Sequence, residues 1–295
     1  MERYALVVGE ALVDVVRRPD GTTREHPGGS AANVALALAR LGRPVRFLTA
    51  LGDDARGRLV ADHLRESGVE LAGEPFVLDR TSTALATIGA DGAATYEFDF
   101  EWRLGELPDE DPAFLHVCSL GAVVRPGADA VRELVERHRE RAVVSYDVNA
   151  RPMLTGTGAD VVDRVTAVAR LSHVVKASDE DLVALFPGEP LEVAAERLRG
   201  LGARAVVITR GASGTTWFAA AGAVTAAAER VDVVDTVGAG DTVSAAIVDA
   251  LWDDPDRDPP AVLAHAARAA AVTVSRAGAD PPYRHELEAD PRGLP

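Results

Sequence analysis

Two short glycine-bearing segments hold the residue types that could carry chemistry. The first is Asp235-Thr236-Val237-Gly238-Ala239-Gly240-Asp241-Thr242, followed at helical spacing by Val243, Ile247, Ala250 and Leu251. A glycine-rich turn feeding a helix N-terminus presents unpaired backbone N–H groups and partial positive charge. It makes an anion hole suited to a phosphate group. Asp241 falls in the first turn of that helix, where a carboxylate beside a phosphate can take a proton from an attacking hydroxyl. It can equally do no more than cap the helix, and spacing alone leaves both readings open. The second segment is Gly28-Gly29-Ser30-Ala31-Ala32-Asn33, again opening a helix. Its paired glycines let a small polar ligand touch the backbone, with the Asn33 amide at the same mouth. A plain helix entry is the alternative.

Other chemistries lack their residues. The loop at 235–241 is no dinucleotide fingerprint, because the third glycine position is Val243 and the segment lies near the C-terminus. A Walker A loop needs Gly-Lys, and the only lysine is Lys176. The seven histidines are scattered without metal-ligand spacing, which argues against a zinc enzyme. The net charge of −15 disfavours broad binding to nucleic acid or to an anionic membrane. A phosphate-bearing ligand must then be held by local donors against the overall field. Cys118, the one cysteine, sits in an apolar strand and fits a reducing cytosol; it reads as a core residue, with a reactive nucleophile as the alternative. The N-terminus runs directly into an apolar strand without a signal-peptide pattern, so the expected location is cytoplasmic. Among 31 basic residues only one is a lysine, there is no glutamine, and Asn33 and Asn149 are the only asparagines. Residue types that survive such a bias mark places to look for chemistry.

The elements that must position these residues alternate. Apolar runs at 5–8, 45–48, 114–120, 143–146, 174–175 and 205–208 read as strands. Helical periodicity falls at 31–41, 57–67, 128–139, 161–171, 180–185 and 191–201. This predicts one α/β domain, a parallel sheet with helices on both faces. Residues 14–27 and 83–102 break the pattern with strand-like alternation. The second reads as a β-hairpin turning at Ala90-Asp91-Gly92. They predict a small β flap over one end of the domain. The uncharged run 211–228 reads as another hairpin and 253–260 as a surface loop.

With these residues in order, the chain resembles the PfkB family of carbohydrate kinases. Gly28 to Asn33 followed by Ala39-Arg40-Leu41-Gly42 matches the family's first signature, and Asp235 to Asp241 matches the second. Gly9-Glu10-Ala11-Leu12-Val13-Asp14, Gly52-Asp53-Asp54, Asp147-Val148-Asn149-Ala150-Arg151 and Thr209-Arg210-Gly211-Ala212-Ser213-Gly214 fill the gaps. The resemblance spans nearly the whole chain. It implies a ribokinase-like three-layer α/β/α sandwich over 1–295, with a mainly parallel sheet and a small β-sheet lid from insertions 14–27 and 83–102.

The resemblance also implies roles. Asp241 becomes the base, and the amides of Gly238, Ala239 and Gly240 receive the transferring phosphoryl group. Asp14, Gly28, Gly29 and Asn33 bind sugar hydroxyls, and Arg151 meets the phosphate or stays a surface arginine. Thr209, Gly211 and Gly214 form the nucleotide turn. Asp235, Val237, Ser275 and Gly278 frame a monovalent-cation site, with K⁺ the candidate ion. One departure stands out. Where the family often has Asn-x-x-Glu for Mg²⁺, this chain has Ser178-Asp179-Glu180-Asp181, so Asp181 holds metal-bound water with a shorter reach. Lys176 either offers its charge to the nucleotide or is a buried strand-end lysine.

The implied reaction takes ATP with Mg²⁺ and a sugar, with fructose phosphorylated at its 6-hydroxyl as the favoured substrate. Ribose, 2-keto-3-deoxygluconate and a nucleoside are the alternatives, and a non-catalytic sugar or nucleotide sensor is the reading from another class. The flap offers either Phe98 and Phe100 or Glu97, Asp99 and Glu101 to the sugar, and neither set suits a carboxylate. Only Arg103, turned inward, would rescue an acid sugar. The edge of the flap also invites a homodimer.

Overall fold

A computed structural model describes residues 3–89 and 94–288. In chain order its strands are β1 Ala5–Val8, β2 Leu12–Arg17, β3 Thr23–Gly28, β4 Val45–Leu48, β5 Leu51–Gly52, β6 Val69–Leu71, β7 Phe76–Leu78 and β8 Thr83–Ile88. They continue with β9 Ala94–Asp99, β10 Phe114–Cys118, β11 Val143–Asp147, β12 Val174–Ser178, β13 Ala205–Thr209, β14 Thr215–Ala219 and β15 Gly222–Ala226.

Nine strands form the main sheet in the order β15-β14-β13-β12-β11-β10-β1-β4-β6. Neighbours are parallel except along β13-β14-β15, an antiparallel meander at one edge. β1 and β10 are buried along their whole length. That is why they read as unbroken apolar runs, because a parallel sheet is covered on both faces. Successive side chains point to opposite faces. Val7 and Phe47 therefore pack in the core layer that includes Val34 and Leu38 of the helix Ser30–Arg40 and Ile247 of the helix Ala239–Ala250. Leu6 and Val8 pack in the other layer, with Leu134, Val165 and Leu198 from the helices Gly127–His138, Ala159–Leu171 and Leu191–Arg199. The result is the three-layer α/β/α sandwich that the alternation predicts.

The two stretches without helices join in one four-stranded sheet, ordered β3-β2-β8-β9. Its outer pairs are antiparallel hairpins, and the central β2–β8 pair is parallel, with Val13 opposite Thr83. The predicted turn at Ala90-Asp91-Gly92 lies outside the described residues. The second insertion differs from its expected span at the far end. Trp102, only 2% exposed, belongs to the core of the main sandwich. Its indole N–H donates to the Gly121 carbonyl at 3.0 Å, and a Cβ on Gly127 would fall 2.4 Å from the ring. The flap strand thus ends at Asp99, and the next three residues lead back into the sandwich.

Two smaller differences have simple causes. The loop predicted at 253–260 ends earlier, because Pro259 and Pro260 open the helix Pro259–Val274, where a missing N–H costs nothing. The strand predicted through Leu120 stops at Cys118 and turns into a short 3₁₀ segment, Ser119–Ala122. Cys118 is fully buried, and burial pushes its thiol well above the usual range, as a core cysteine requires.

Candidate active site

Two helix N-termini meet at a cavity of about 380 Å³. Each begins at a glycine that no other residue could replace without strain. Gly29 has φ +106°, and a Cβ there would lie 2.6 Å from the Glu10 carbonyl oxygen. Gly238 has φ +76°, and its Cβ would strike the Ala279 side chain at 2.6 Å. Gly238 and Gly240 line the cavity, but Ala239, expected to lend its amide there, does not: its N–H donates to the Thr236 carbonyl at 3.2 Å and closes the turn instead.

The first turns bring Ser30, Asn33 and Asp241 together. Ser30 Oγ donates to Asp241 Oδ1 at 2.7 Å, and Asn33 Nδ2 donates to Oδ2 at 2.8 Å. Asn149, just past β11 with φ +37°, donates to Ser30 Oγ at 2.7 Å and to Asp241 Oδ1 at 3.3 Å. Both asparagines of the chain therefore converge on one carboxylate. Asp241 is 7% exposed and lines the cavity. Burial raises its pKa, while the bonds from Asn33 and Ser30 oppose the rise. A carboxylate so placed, beside free amides at a helix N-terminus, can accept a proton from a bound hydroxyl.

The rest of the cavity is mixed. Asp14 lines it, and burial raises its pKa. Gly28 lies behind Asp14: a Cβ on it would come within 2.1 Å of Asp14 Oδ2, so this glycine makes room for the carboxylate. Arg151 stands at the mouth, its Nη1 donating to Asn149 Oδ1 at 2.6 Å. Of the two flap faces, the apolar one is turned inward: Phe98 and Ala84 line the cavity. Arg103 is half-buried and paired with Glu101 at 2.8 Å, and it is not part of the lining. Glu10, absent from the residues singled out by type and spacing, also lines the cavity at 3% exposure. Its Oε2 accepts the Gly121 N–H at 2.9 Å, and burial pushes its pKa to about 7. Ser30 and Glu10 could have been suspected only from their neighbours, a glycine pair and a strand end.

Lys176 lies beneath the glycine turn and outside the cavity lining. Its Nζ bonds Asp147 Oδ2 at 2.9 Å, which Ser244 Oγ also reaches at 2.8 Å. A Cβ on Gly240 would sit 3.0 Å from that ammonium. Burial alone would lower the lysine pKa, but Asp147, with Asp181 and Asp241 beyond, outweighs it and keeps the group charged. The lysine does not snorkel to solvent; it is a buried cation behind the Gly238–Gly240 turn.

Ser178 and Asp181 form a capping box at the helix Asp179–Leu185. Asp181 Oδ2 accepts the Ser178 N–H and Oδ1 accepts the Ala150 N–H, both at 2.8 Å. In this arrangement the aspartate ties the 149–151 loop to the end of β12. Thr209 stands opposite Ser178 at the end of β13, and the 3₁₀ turn Gly211–Ser213 follows it. Gly214, at φ +90°, would drive a Cβ to 2.1 Å from the Ala226 carbonyl oxygen. This turn shares the sheet edge with the cavity but does not line it.

Asp235 joins two loops. It accepts the Val237 N–H at 3.0 Å and the Gly278 N–H at 2.9 Å, which lower its pKa. The Ser275 hydroxyl is turned to the Val272 carbonyl at 2.7 Å. The residues thus fit a hard monovalent cation in one respect, a carboxylate that stays ionised between the two loops. Among the described residues no three His, Cys, Asp or Glu side chains cluster as metal ligands, and no helix is long and apolar enough to cross a membrane.

Residues 2–286 match the pfkB family carbohydrate kinase. A fructokinase of Rhizobium leguminosarum bv. trifolii is 36% identical over 263 residues, 84% of this chain and 80% of the relative. An aminoimidazole riboside kinase of Salmonella typhimurium is 31% identical over 95% of this chain and 92% of its own. The crystal structure of a double mutant of the fructokinase from Vibrio cholerae O395, in its fructose-, ADP- and potassium-ion-bound form, superposes with a TM-score of 0.82. It is 25% identical, and the match covers 94% of each chain.

Proposed function

Because the chain belongs to the pfkB family of carbohydrate kinases, we propose that it transfers the γ-phosphoryl group of ATP to the 6-hydroxyl of fructose. The observation that carries this reading is the Asp241 carboxylate, set in the cavity wall beside the Gly238–Gly240 turn and held by Ser30 and Asn33. Phosphoryl transfer demands positioning and charge stabilisation more than covalent chemistry. Asp241 takes the proton of the accepting hydroxyl. The loop amides receive the phosphoryl oxygens, and Lys176 adds positive charge from behind. Asp14 and the free Asn33 oxygen hold sugar hydroxyls, and Arg151 meets the phosphoryl group at the mouth.

Mg²⁺ enters with ATP as part of the substrate. The Thr209–Gly214 turn takes the nucleotide, and Asp181, whose two oxygens already accept the Ser178 and Ala150 N–H groups, would hold water of the metal's shell through its remaining lone pairs. A monovalent cation, K⁺ in this proposal, would be held by Asp235 and the loops around Val237 and Gly278 and would stiffen the anion hole. The β3-β2-β8-β9 sheet closes over the sugar as a lid and excludes water. Its edge strand β9, with Tyr96 exposed, gives a second copy a place to pair. The buried single cysteine fits work in the cytoplasm.

A neutral sugar fits the cavity better than an acid sugar. Phe98 faces it, and Arg103, the residue that could have held a carboxylate from the flap, is spent on Glu101. The test is ADP release at saturating ATP and Mg²⁺ with fructose, ribose, 2-keto-3-deoxygluconate and aminoimidazole riboside. Fructose should give the highest kcat/KM. A rival exceeding it about tenfold, about 1.4 kcal/mol of transition-state preference, overturns fructose. Sugar binding without ADP release from any sugar would make the protein a sensor.

A further inference from the structure

The two helices that open at the catalytic cavity both end at a second pocket, of about 220 Å³. Asp249 lies in the last turn of Ala239–Ala250, and Arg43 follows the end of Ser30–Arg40. A helix of that length carries the chain about 18 Å, so this pocket is at the opposite end from Asp241. Ala261, His265 and Arg268, at i, i+4 and i+7 of the helix Pro259–Val274, form one wall.

Part of its charge has a structural purpose. Asp249, 3% exposed, receives Arg43 Nε at 2.5 Å and Arg284 Nη2 at 2.6 Å on one oxygen, and His265 Nε2 lies 2.8 Å from the other. Although burial works against ionisation, these partners push its pKa to about 2. Arg43 Nη2 also donates to the Asp249 carbonyl at 3.2 Å, and its Nη1 lies 3.4 Å from Asp253 at the rim. This cluster ties down the helix end.

The same cluster does not account for Arg257 and Arg268. Both line the pocket, both are exposed, and neither has a carboxylate within ion-pair distance among the described residues. Four arginines thus share a small depression with the carboxylates of Asp249 and Glu288, in a chain of net charge −15. Guanidinium groups match the oxygens of a phosphate in fork geometry.

We propose that this pocket, with Arg257 and Arg268 as its free donors, binds a small phosphate dianion, free or as a simple ester. Titration calorimetry tests it with inorganic phosphate and with glycerol phosphate as probes, the catalytic cavity being filled by a non-hydrolysable ATP analogue, Mg²⁺ and sugar. One saturable site should appear, weaken as NaCl is raised, and lose at least about tenfold in affinity in the R257A/R268A double variant. Because both arginines are exposed, that variant should keep the circular dichroism and the basal kinase activity of the parent. A tighter inorganic phosphate marks the free ion as ligand, a tighter ester marks a phosphorylated metabolite, and either supports the site. Absence of saturable binding up to about 10 mM, or a site that survives R257A/R268A unchanged, overturns it.

Discussion

Replacing Glu10 by glutamine should stabilise the ligand-free protein at pH 8 and change little at low pH. Glu10 is 3% exposed, and burial raises its pKa from 4.5 to about 7. The folded state therefore binds more protons than the unfolded state between those values, and wild-type stability falls as pH rises through that window. A shift of about 2.5 units corresponds to about 3 kcal/mol. A glutamine oxygen can still accept the Gly121 N–H, so the variant keeps the bond and sheds the cost of a buried charge. Urea unfolding of both proteins between pH 4.5 and pH 8 isolates the effect, because every other titrating group is common to the two. The stability difference should open by about 3 kcal/mol in favour of E10Q. Parallel pH profiles, or an E10Q variant less stable than wild type at pH 8, would refute the reasoning.

Three further outcomes follow from the site. Gly238→Ala adds a side chain at φ +76° against Ala279, so kcat should fall by at least about 100-fold as the anion hole shifts; activity near wild type would show that the turn does not need its left-handed glycine. Lys176→Met leaves Asp147 buried without its cation and should cost about 3–5 kcal/mol in chemical denaturation, most of it regained when Asp147→Asn is added; additive losses would show that the two are not coupled. Phe98→Ala opens the flap side of the cavity and should raise the sugar KM and the sugar-independent hydrolysis of ATP; if both stay unchanged in steady-state assays, the flap is no lid.

The fold was legible because the central strands of the main sheet are buried on both faces and helices such as Ala55–Glu66 and Gly127–His138 on one. Runs such as Ala5-Leu6-Val7-Val8 and the spacing of Val34, Leu38 and Leu41 state those environments directly. The helix after Pro259 escapes a sequence reading because prolines read as loop signals even at a first turn, where they suit a helix. Trp102 reads as part of the flap because nothing in its neighbours reveals that its ring fills the space left by Gly127, 25 positions further along the chain. At the site, the rare residue types were the useful signal: Asn33 and Asn149 both reach Asp241, and Lys176 lies under Gly240. The hidden part was pairing. The Asp181 bonds to Ser178 and Ala150, the Asp147 partnership with Lys176 and Ser244, and the burial of Glu10 depend on contacts between distant segments, which neither motif nor periodicity encodes.

The central claim is that Asp241 removes the proton from the accepting hydroxyl. Asp241→Asn keeps the shape of the side chain and removes its capacity as a base. Single-turnover transfer of labelled γ-phosphate to fructose, measured alongside binding of fructose and of ATP, tests the claim most directly. The account predicts a fall of about 10²–10⁴-fold in the rate of transfer with both ligands still bound. A variant that transfers phosphate within about threefold of the wild-type rate, well inside what loss of a general base costs, would contradict it.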